Sequence, residues 1–449
     1  GGFMMATERF LVSDHIYATQ RAGRFLNDPN LVQVLCEQAN TARLWLEGQL
    51  DIPFNPKHNG QGYWFTGGGA GFFKRLSALV QQTTSIEVCD SLRVVKLVVH
   101  QGHCVGALGL TPEGKPHSVP AKAVILASGG YAGVFSRNDN PGNPAGEGIP
   151  LALAAGASVR DMEFVQFYPL GLAEPGLPTF MAFRPFPPQA RVVDQAGRSL
   201  TETHLDTDDL NDAVGTQRDR FSLAIAAELE HGPVFLDLTR VNWDELDRWF
   251  SLQFLARYDF PWQVRPARIA PIAHHTMGGV AIDAWSRTTL PGLYAVGEAA
   301  SGVHGANRLG SNSLTECLVF GRRTGQHAAQ STVPPVIPQS IAFKGDVPPA
   351  PTPEAFAALQ AVCWKHLGLS RSAKGLQVAL AQLESLHGND VKLKAAHLIA
   401  QTLARFALAR TESRGAHFRS DFPEENPQQA ASLFARYADG KMAFVHNRS

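Results

Sequence analysis

The chain is poor in cysteine, and what it has is scattered. Cys36, Cys89, Cys104, Cys317 and Cys363 are the only five in 449 residues, an odd number without a CxxC pair. A disulfide framework, a zinc site or an iron–sulfur site needs thiols that are denser or paired. The pattern fits a reducing compartment, and a cytoplasmic location is the expectation. An excess of charge is missing too, since 40 lysines and arginines face 40 aspartates and glutamates. A nucleic-acid binder would carry a basic surplus, so no nucleic-acid partner is expected. No stretch reaches the roughly 18 apolar residues of a membrane span, and no charged-then-apolar signal opens the chain. Internal repeats are absent as well. Length alone makes two to three domains the default.

A glycine-rich phosphate turn is also lacking: no GxGxxG occurs in the first fifty residues, and the chain starts at Gly1-Gly2-Phe3. What is present is concentrated between Ile269 and Gly321, in IAPIAHHTMGGVAIDAWSRTTLPGLYAVGEAASGVHGANRLGSNSLTECLVFG. The apolar strand Leu293–Val296 stops at Gly297-Glu298. Open α/β sheets present a nucleotide's sugar at such a carboxyl edge, where Glu298 can accept hydroxyl hydrogen bonds. The plainer reading is a turn or helix-dipole acid. Gly310-Ser311-Asn312-Ser313 opens a helix, whose free N–H groups and dipole suit an electron-rich ligand. Ser311, Asn312 and Ser313 would cap that helix on any reading. Arg308, in HGANR, brings a guanidinium fork that matches a carboxylate or closes a structural ion pair. His274 stands before a Gly-Gly turn, and a lone histidine is more often a satisfied core residue than a ligand. Adjacent His274 and His275 point to opposite faces of an extended backbone, so no metal site is expected.

The rest of the chain supplies the frame. Leu31, Val34, Leu35, Ala39 and Leu44 recur near a period of 3.6, a helix within 20–50. Leu92–Val99 and Cys104–Leu110 flank Gln101-Gly102 as a hairpin. Ala123–Ala127 is a short apolar strand ending in Ser128-Gly129-Gly130, where a backbone turns tightly or approaches a ligand. A helix over Gly148–Ala155 stops at Gly156. Between 166 and 275 the texture changes: Pro185, Pro187 and Pro188, a turn at Asp194-Gln195-Ala196-Gly197, and a helix from Arg218 to Glu230. This reads as an inserted capping domain. Prolines from Pro334 to Pro353 read as a linker. Beyond it, Ile399, Leu403 and Phe406 line one helical face while Arg405 and Arg410 point elsewhere.

The Ile269–Gly321 run and the later ARTESRGAHFRSDFP (Ala409–Pro423) resemble the flavoprotein family of L-aspartate oxidase, fumarate reductase and succinate dehydrogenase. The resemblance spans essentially the whole chain. It implies an α/β fold: a dinucleotide-binding (Rossmann-like) FAD domain with an inserted α+β capping domain and a C-terminal helical domain. The implied divisions are 1–165 and 276–330 for the FAD domain, 166–275 for the cap, 331–353 for the linker and 354–449 for the helical domain. FAD is the implied cofactor, held by Gly129, Gly130, Gly297, Glu298, Asn307, Ser311, Asn312, Ser313 and Leu314. His274 and Arg308 would hold a substrate carboxylate, beside Tyr168 where family members carry a histidine. Arg218, in an Arg-Asp pair at the head of a capping helix, would pass the proton, with Arg220 as the competing candidate. With a pKa above about 12, an arginine can do so only transiently.

The chain also departs from the family. A glutamate and a Gly-Gly-His-Ser stretch give way to Asn59–Phe73, a Thr-Glu pair to Ala182-Phe183, and RGEGA is absent. Those positions grip a second carboxylate. Either Arg184 or the Asn59–Thr66 loop replaces them, or the substrate has one carboxylate and a less polar tail. Family members open with a glycine-rich βαβ unit, so this chain is expected to be a fragment without it; a natural protein lacking the unit is the alternative. The expected reaction passes a hydride from the small dicarboxylate L-aspartate to flavin N5, giving iminoaspartate, the first step of NAD biosynthesis. Oxygen or fumarate would accept the electrons. The rivals are a fumarate reductase or succinate dehydrogenase flavoprotein subunit, which needs an iron–sulfur partner, and a flavin-binding relative without turnover.

Overall fold

Two short strands carry the nucleotide-binding core. Val124–Leu126 pairs in parallel with Leu293–Ala295, with Val124 opposite Leu293 and Leu126 opposite Ala295. Both run out into glycine, at Gly129-Gly130 and at Gly297, so their carboxyl ends meet at one edge of the sheet. Ile125 is 41% exposed, so this apolar strand is covered on one face only. The computed structural model describes residues 2–51, 53–57, 59–65, 67–142, 145–331, 353–386, 390–438 and 441–445. Its architecture is α/β: a Rossmann-like FAD domain, an inserted α+β capping domain and a C-terminal helical domain.

The helix expected within 20–50 is two helices, Val12–Ala22 and Pro29–Leu50. Arg24 and Phe25 adopt positive φ between them. Asp28 then starts the second helix by accepting from Asn30 N and Leu31 N, with Pro29 in the first turn. Leu31, Leu35, Ala39, Ala42 and Leu46 are buried, whereas Leu44 is 59% exposed. Steps of three and four from Ala39 reach Ala42 and Leu46, and Leu44 falls off that stripe. The hairpin of Arg93–His100 with His103–Leu110 turns at Gln101 and Gly102, both with positive φ. The short helix is Gly148–Ala154, and Gly156 ends it at φ +92°.

The capping sheet has four strands in the order Arg191–Val193, Val234–Asp237, Ala267–Thr276, Val165–Leu172. Its buried residues form a cluster drawn from Tyr168 to Ile272, separate from the main core, which itself takes in Phe167 and Ala273. The main core runs from Phe3 to Ala435. It takes in the apolar faces of the C-terminal helices Pro353–Leu367, Ala373–Ser385 and Val391–Ala409, among them Cys363, Leu383, Ile399, Leu403 and Phe406.

Two expectations for the C-terminal part need correction. The part is not helical to its end: Phe434–Ala438 and Lys441–Val445 form a hairpin, and Phe434 and Ala435 pair with Arg160 and Val159. Nor does Arg410 point away from the interior. The helix ends at Ala409, Arg410 leaves it with φ −86° and ψ 103°, and its side chain is 1% exposed. Helical periodicity no longer governs a residue at the cap. The proline-rich linker falls almost entirely at 332–352, outside the described residues.

Candidate active site

Adjacent antiparallel strands of the cap build the substrate side. Ile272 lies opposite Tyr168 and His275 opposite Gln166, with a bulge between Ala273 and His275. Gln166 and Tyr168 share one face of their strand by its period of two. The His274 ring meets the edge of the Tyr168 ring at 5.8 Å, and His274 Nδ1 lies 2.9 Å from Asp139 Oδ2. The Tyr168 hydroxyl donates to the Ala182 carbonyl at 3.1 Å. Burial pushes that hydroxyl up to about 12, so it stays a neutral donor.

Arg308 is held from the same face. Its Nη2 donates to Gln166 Oε1 at 2.8 Å, while Gln166 Nε2 donates to Asn307 Oδ1 at 2.5 Å and to the Arg308 carbonyl at 3.1 Å. Asn307 Nδ2 in turn donates to Asp219 Oδ2 at 2.5 Å. One network thus links Arg308 to the residue beside Arg218. Among the described residues Arg308 has no carboxylate partner, and its buried Nε has no acceptor. Burial and then Arg218 bring its pKa down to about 10, so it remains cationic near neutral pH.

Arg218 opens the helix Arg218–Glu228, and its Nε donates to the Val214 carbonyl at 3.3 Å. Its guanidinium carbon stands 5.6 Å over the Tyr168 ring. Burial lowers its pKa, against the pull of Tyr168 and Asp219. A β-carbon on Gly310 would come within 3.8 Å of Arg218 Nη2, so the guanidinium faces the loop ahead of the helix Asn312–Ala328. Arg220, the competing candidate, is 56% exposed and pairs with Asp206 at 2.7 Å on the surface.

The cofactor side gathers at the two glycine ends. Gly129 has φ +75° and open space around it. A β-carbon on Gly130 would overlap Glu298 Oε1 and Thr276 Oγ1. Glu298 Oε1 accepts from Thr276 N at 2.9 Å, and Oε2 lies 3.4 Å from His275 Nδ1. Burial works to raise Glu298, but His275 and the Thr276 N–H hold it at about 2. The carboxylate is ionised and keeps lone pairs to spare. Ser311 enters the helix at φ +71° without a side-chain cap. Asn312 turns inward, donating to Thr19 Oγ1 at 2.9 Å and lying 2.8 Å from His15 Nε2. The expected capping by these side chains is therefore not seen. The N–H groups of Ser313 and Leu314 find no backbone acceptor among the described residues, which leaves them for a ligand.

Two residues that join the site are not marked as such by the sequence. Gln166 has a usable signal, standing two residues before Tyr168 on a strand. Asp139 reaches His274 across 135 positions, and nothing local marks it.

The model of the FAD binding domain matches residues 3–314, and that of the fumarate reductase flavoprotein C-terminus matches 389–443. A fumarate reductase (CoM/CoB) subunit of Methanothermobacter marburgensis is 32% identical, over 93% of this chain and 85% of its own. The L-aspartate oxidase of Caulobacter vibrioides is 35% identical, over 92% and 83%. Among solved structures, the Mycobacterium smegmatis Sdh1 complex in the apo form superimposes with a TM-score of 0.81 at 26% identity, covering 99% of this chain and 86% of that one. Quinol fumarate reductase FrdA of E. coli shares the fold, with a TM-score of 0.84 at 24% identity over 99% and 88%.

FAD is the cofactor of the matched domain, and the residues fit it. Gly129 and Gly130 clear space at the strand end, Glu298 offers an ionised acceptor for hydroxyls, and Ser313 and Leu314 offer N–H donors under a helix dipole. Gly130→Ala should weaken FAD binding at least about tenfold, or about 1.4 kcal/mol, because the new methyl displaces Glu298. Flavin released on dilution of the holoenzyme measures it; unchanged retention would remove Glu298 and Gly130 from the cofactor site.

Proposed function

This chain belongs to the FAD-dependent oxidoreductase family of fumarate reductase and L-aspartate oxidase flavoproteins, and we propose that it oxidises L-aspartate to iminoaspartate. The observation that carries the reading is the convergence of Arg218 and His274 on Tyr168 and of Arg308 on Gln166, two residues before it, with no carboxylate paired to either arginine among the described residues. Two buried guanidiniums without a paired carboxylate call for an anionic substrate.

When bound, FAD supplies the two-electron acceptor. Arg308 brings a charge-assisted fork to a substrate carboxylate, and Gln166 fixes the fork's direction. His274 offers its remaining nitrogen to the same carboxylate while Asp139 sets its orientation. Arg218 relays the proton that leaves the substrate, taking it as its own guanidinium proton passes to the adjacent Asp219, whose carboxyl burial pushes up; the lowered Arg218 pKa makes that transient loss less costly than for an exposed arginine. Asp139 Oδ1 is buried without a partner among the described residues, and an α-ammonium group is the donor it lacks. That unmet acceptor favours an amino acid over a plain diacid.

Fumarate reduction is the second reading, favoured by the number of cations in the cleft. Anaerobic titration of the holoenzyme separates the two. L-Aspartate should bleach the oxidised flavin, and fumarate should then restore its colour more slowly than aspartate removed it. A tenfold or greater preference for a monocarboxylic amino acid would overturn the choice of substrate.

A further inference from the structure

Two cations outside this set border, in sequence, the segments that replace the family's second carboxylate grip: Lys57 stands just before Asn59–Phe73, and Arg184 follows Ala182-Phe183. Lys57 directly follows the strand Phe54–Pro56, and its N–H donates to the Gly62 carbonyl at 2.9 Å. Its side chain crosses the first strand: a β-carbon on Gly2 would lie 2.6 Å from Lys57 Cε and 3.0 Å from Nζ. That strand leads straight to the cofactor end of the cleft, where Met4 N donates to the Ser311 carbonyl at 3.1 Å. The ammonium stands 5.1 Å over the Trp64 ring, yet among the described residues it meets no carboxylate. Lys57 is only 7% exposed. Burying an ammonium without an anion costs several kcal/mol, and a lysine kept in that state points to a ligand that brings the anion.

Arg184 comes from the opposite side, on the cap. Its Nη1 fills the space where a side chain at Gly215 would stand, one residue after the Val214 carbonyl that anchors Arg218. It lies near enough to act electrostatically on Lys57, on the Tyr168 hydroxyl and on Arg218. No carboxylate pairs with it either, among the described residues. In the loop 59–66, named as the other source of donors, the Asn59 and Gln61 side chains are exposed and lie 3.4 Å from one another, and Thr66 lies outside the described residues. Burial, then Arg184, brings the Lys57 pKa down to about 8, the behaviour of a cation whose partner is missing.

We propose that Lys57 and Arg184 form the second anion-binding wall of the cleft and take the distal carboxylate of the substrate, opposite Arg308 and His274. The assignment rests on the dicarboxylate reading above and makes these two residues its specificity determinants. A monocarboxylate would leave the buried Lys57 ammonium without its anion, which is a selection against it as much as an attraction for the diacid; Arg184, which is exposed, adds attraction only.

The test uses holoenzyme and two unreactive probes, malonate with two carboxylates and propionate with one. Binding is read from the perturbed flavin spectrum and from thermal protection. Lys57→Met and Arg184→Met should each weaken malonate about tenfold or more while propionate binding stays the same. Lys57→Arg should recover most of the malonate affinity, and the Met variants should raise KM for the dicarboxylate far more than they lower kcat. Equal weakening of both probes, or unchanged malonate binding, would overturn the proposal and return Lys57 to a support for Trp64. Selective loss of malonate in an enzyme that oxidises no aspartate and reduces no fumarate would keep the wall and sink the functional reading. Dicarboxylate turnover with malonate binding untouched would do the reverse.

Discussion

Arg218→Lys should slow anaerobic reduction of the flavin by L-aspartate about 10²–10⁴-fold, the usual contribution of a positioned acid or base. That range is about 3–5 kcal/mol of activation free energy. Substrate affinity should change far less, because the substituted ammonium would keep a positive charge near Arg308 and the carboxylate is gripped elsewhere. Geometry is what the substitution removes. Arg218 is tied by Nε to the Val214 carbonyl and seated over the Tyr168 ring, which leaves its terminal nitrogens aimed toward the Gly310 side. An ammonium on a flexible stem reproduces none of those constraints. Stopped-flow reduction at saturating substrate isolates the step, and the split between kcat and KM follows from it. A reduction rate within twofold of wild type would take the proton role away from Arg218. Arg220 is then a poor substitute, being 56% exposed and paired to Asp206.

The sequence carried the parts of this site that are local in the chain. Gly297-Glu298 and the loop before Asn312 lie within one contiguous run, and an apolar strand ending in glycine has few other uses. Arg308 and His274 were visible for the same reason. What joins them was not. Gln166 reaches Arg308 across 142 positions, and Asp219 reaches Asn307 across 88, so only the fold brings them together. Asn312 was legible as a helix opener but not as a buried link to Thr19, because residue type does not say which way an amide turns. Lys57 was hidden by a sound general rule, that a lysine belongs to the surface. At Arg410 the chain has already left the helix, so a helical period does not say where its side chain points.

The largest effect on stability should come from Arg410→Ala. Arg410 Nε lies 2.5 Å from Glu163 Oε1, and its other nitrogens reach Glu412 Oε1 at 3.0 Å and Asp161 Oδ1 at 3.7 Å. Two further bonds go to the carbonyls of Gln429 and Ala431, and the guanidinium stacks 4.9 Å from the Phe164 ring. Glu163 and Asp161 precede the first capping strand, whereas Arg410 follows the last long helix, so this cluster fastens the C-terminal part to the FAD domain. Removing one member of a buried ion cluster leaves its partners charged and dry, a cost of about 3–5 kcal/mol. The pH dependence gives the effect a signature. Burial already raises the Glu163 pKa, with Arg410 as the main force opposing it. Without Arg410 the folded-state pKa rises further above the unfolded value. The folded variant then binds a proton that the unfolded chain does not, and its stability increases as pH falls through that raised pKa. The deficit of Arg410→Ala relative to wild type should therefore shrink between pH 8 and pH 5.5, read as apparent Tm of the holoenzyme. Arg410→Met with Glu163→Gln should recover part of the loss at pH 8, since no uncompensated carboxylate remains at position 163. A deficit independent of pH would mean that lost packing against Phe164, rather than stranded charge, sets the cost.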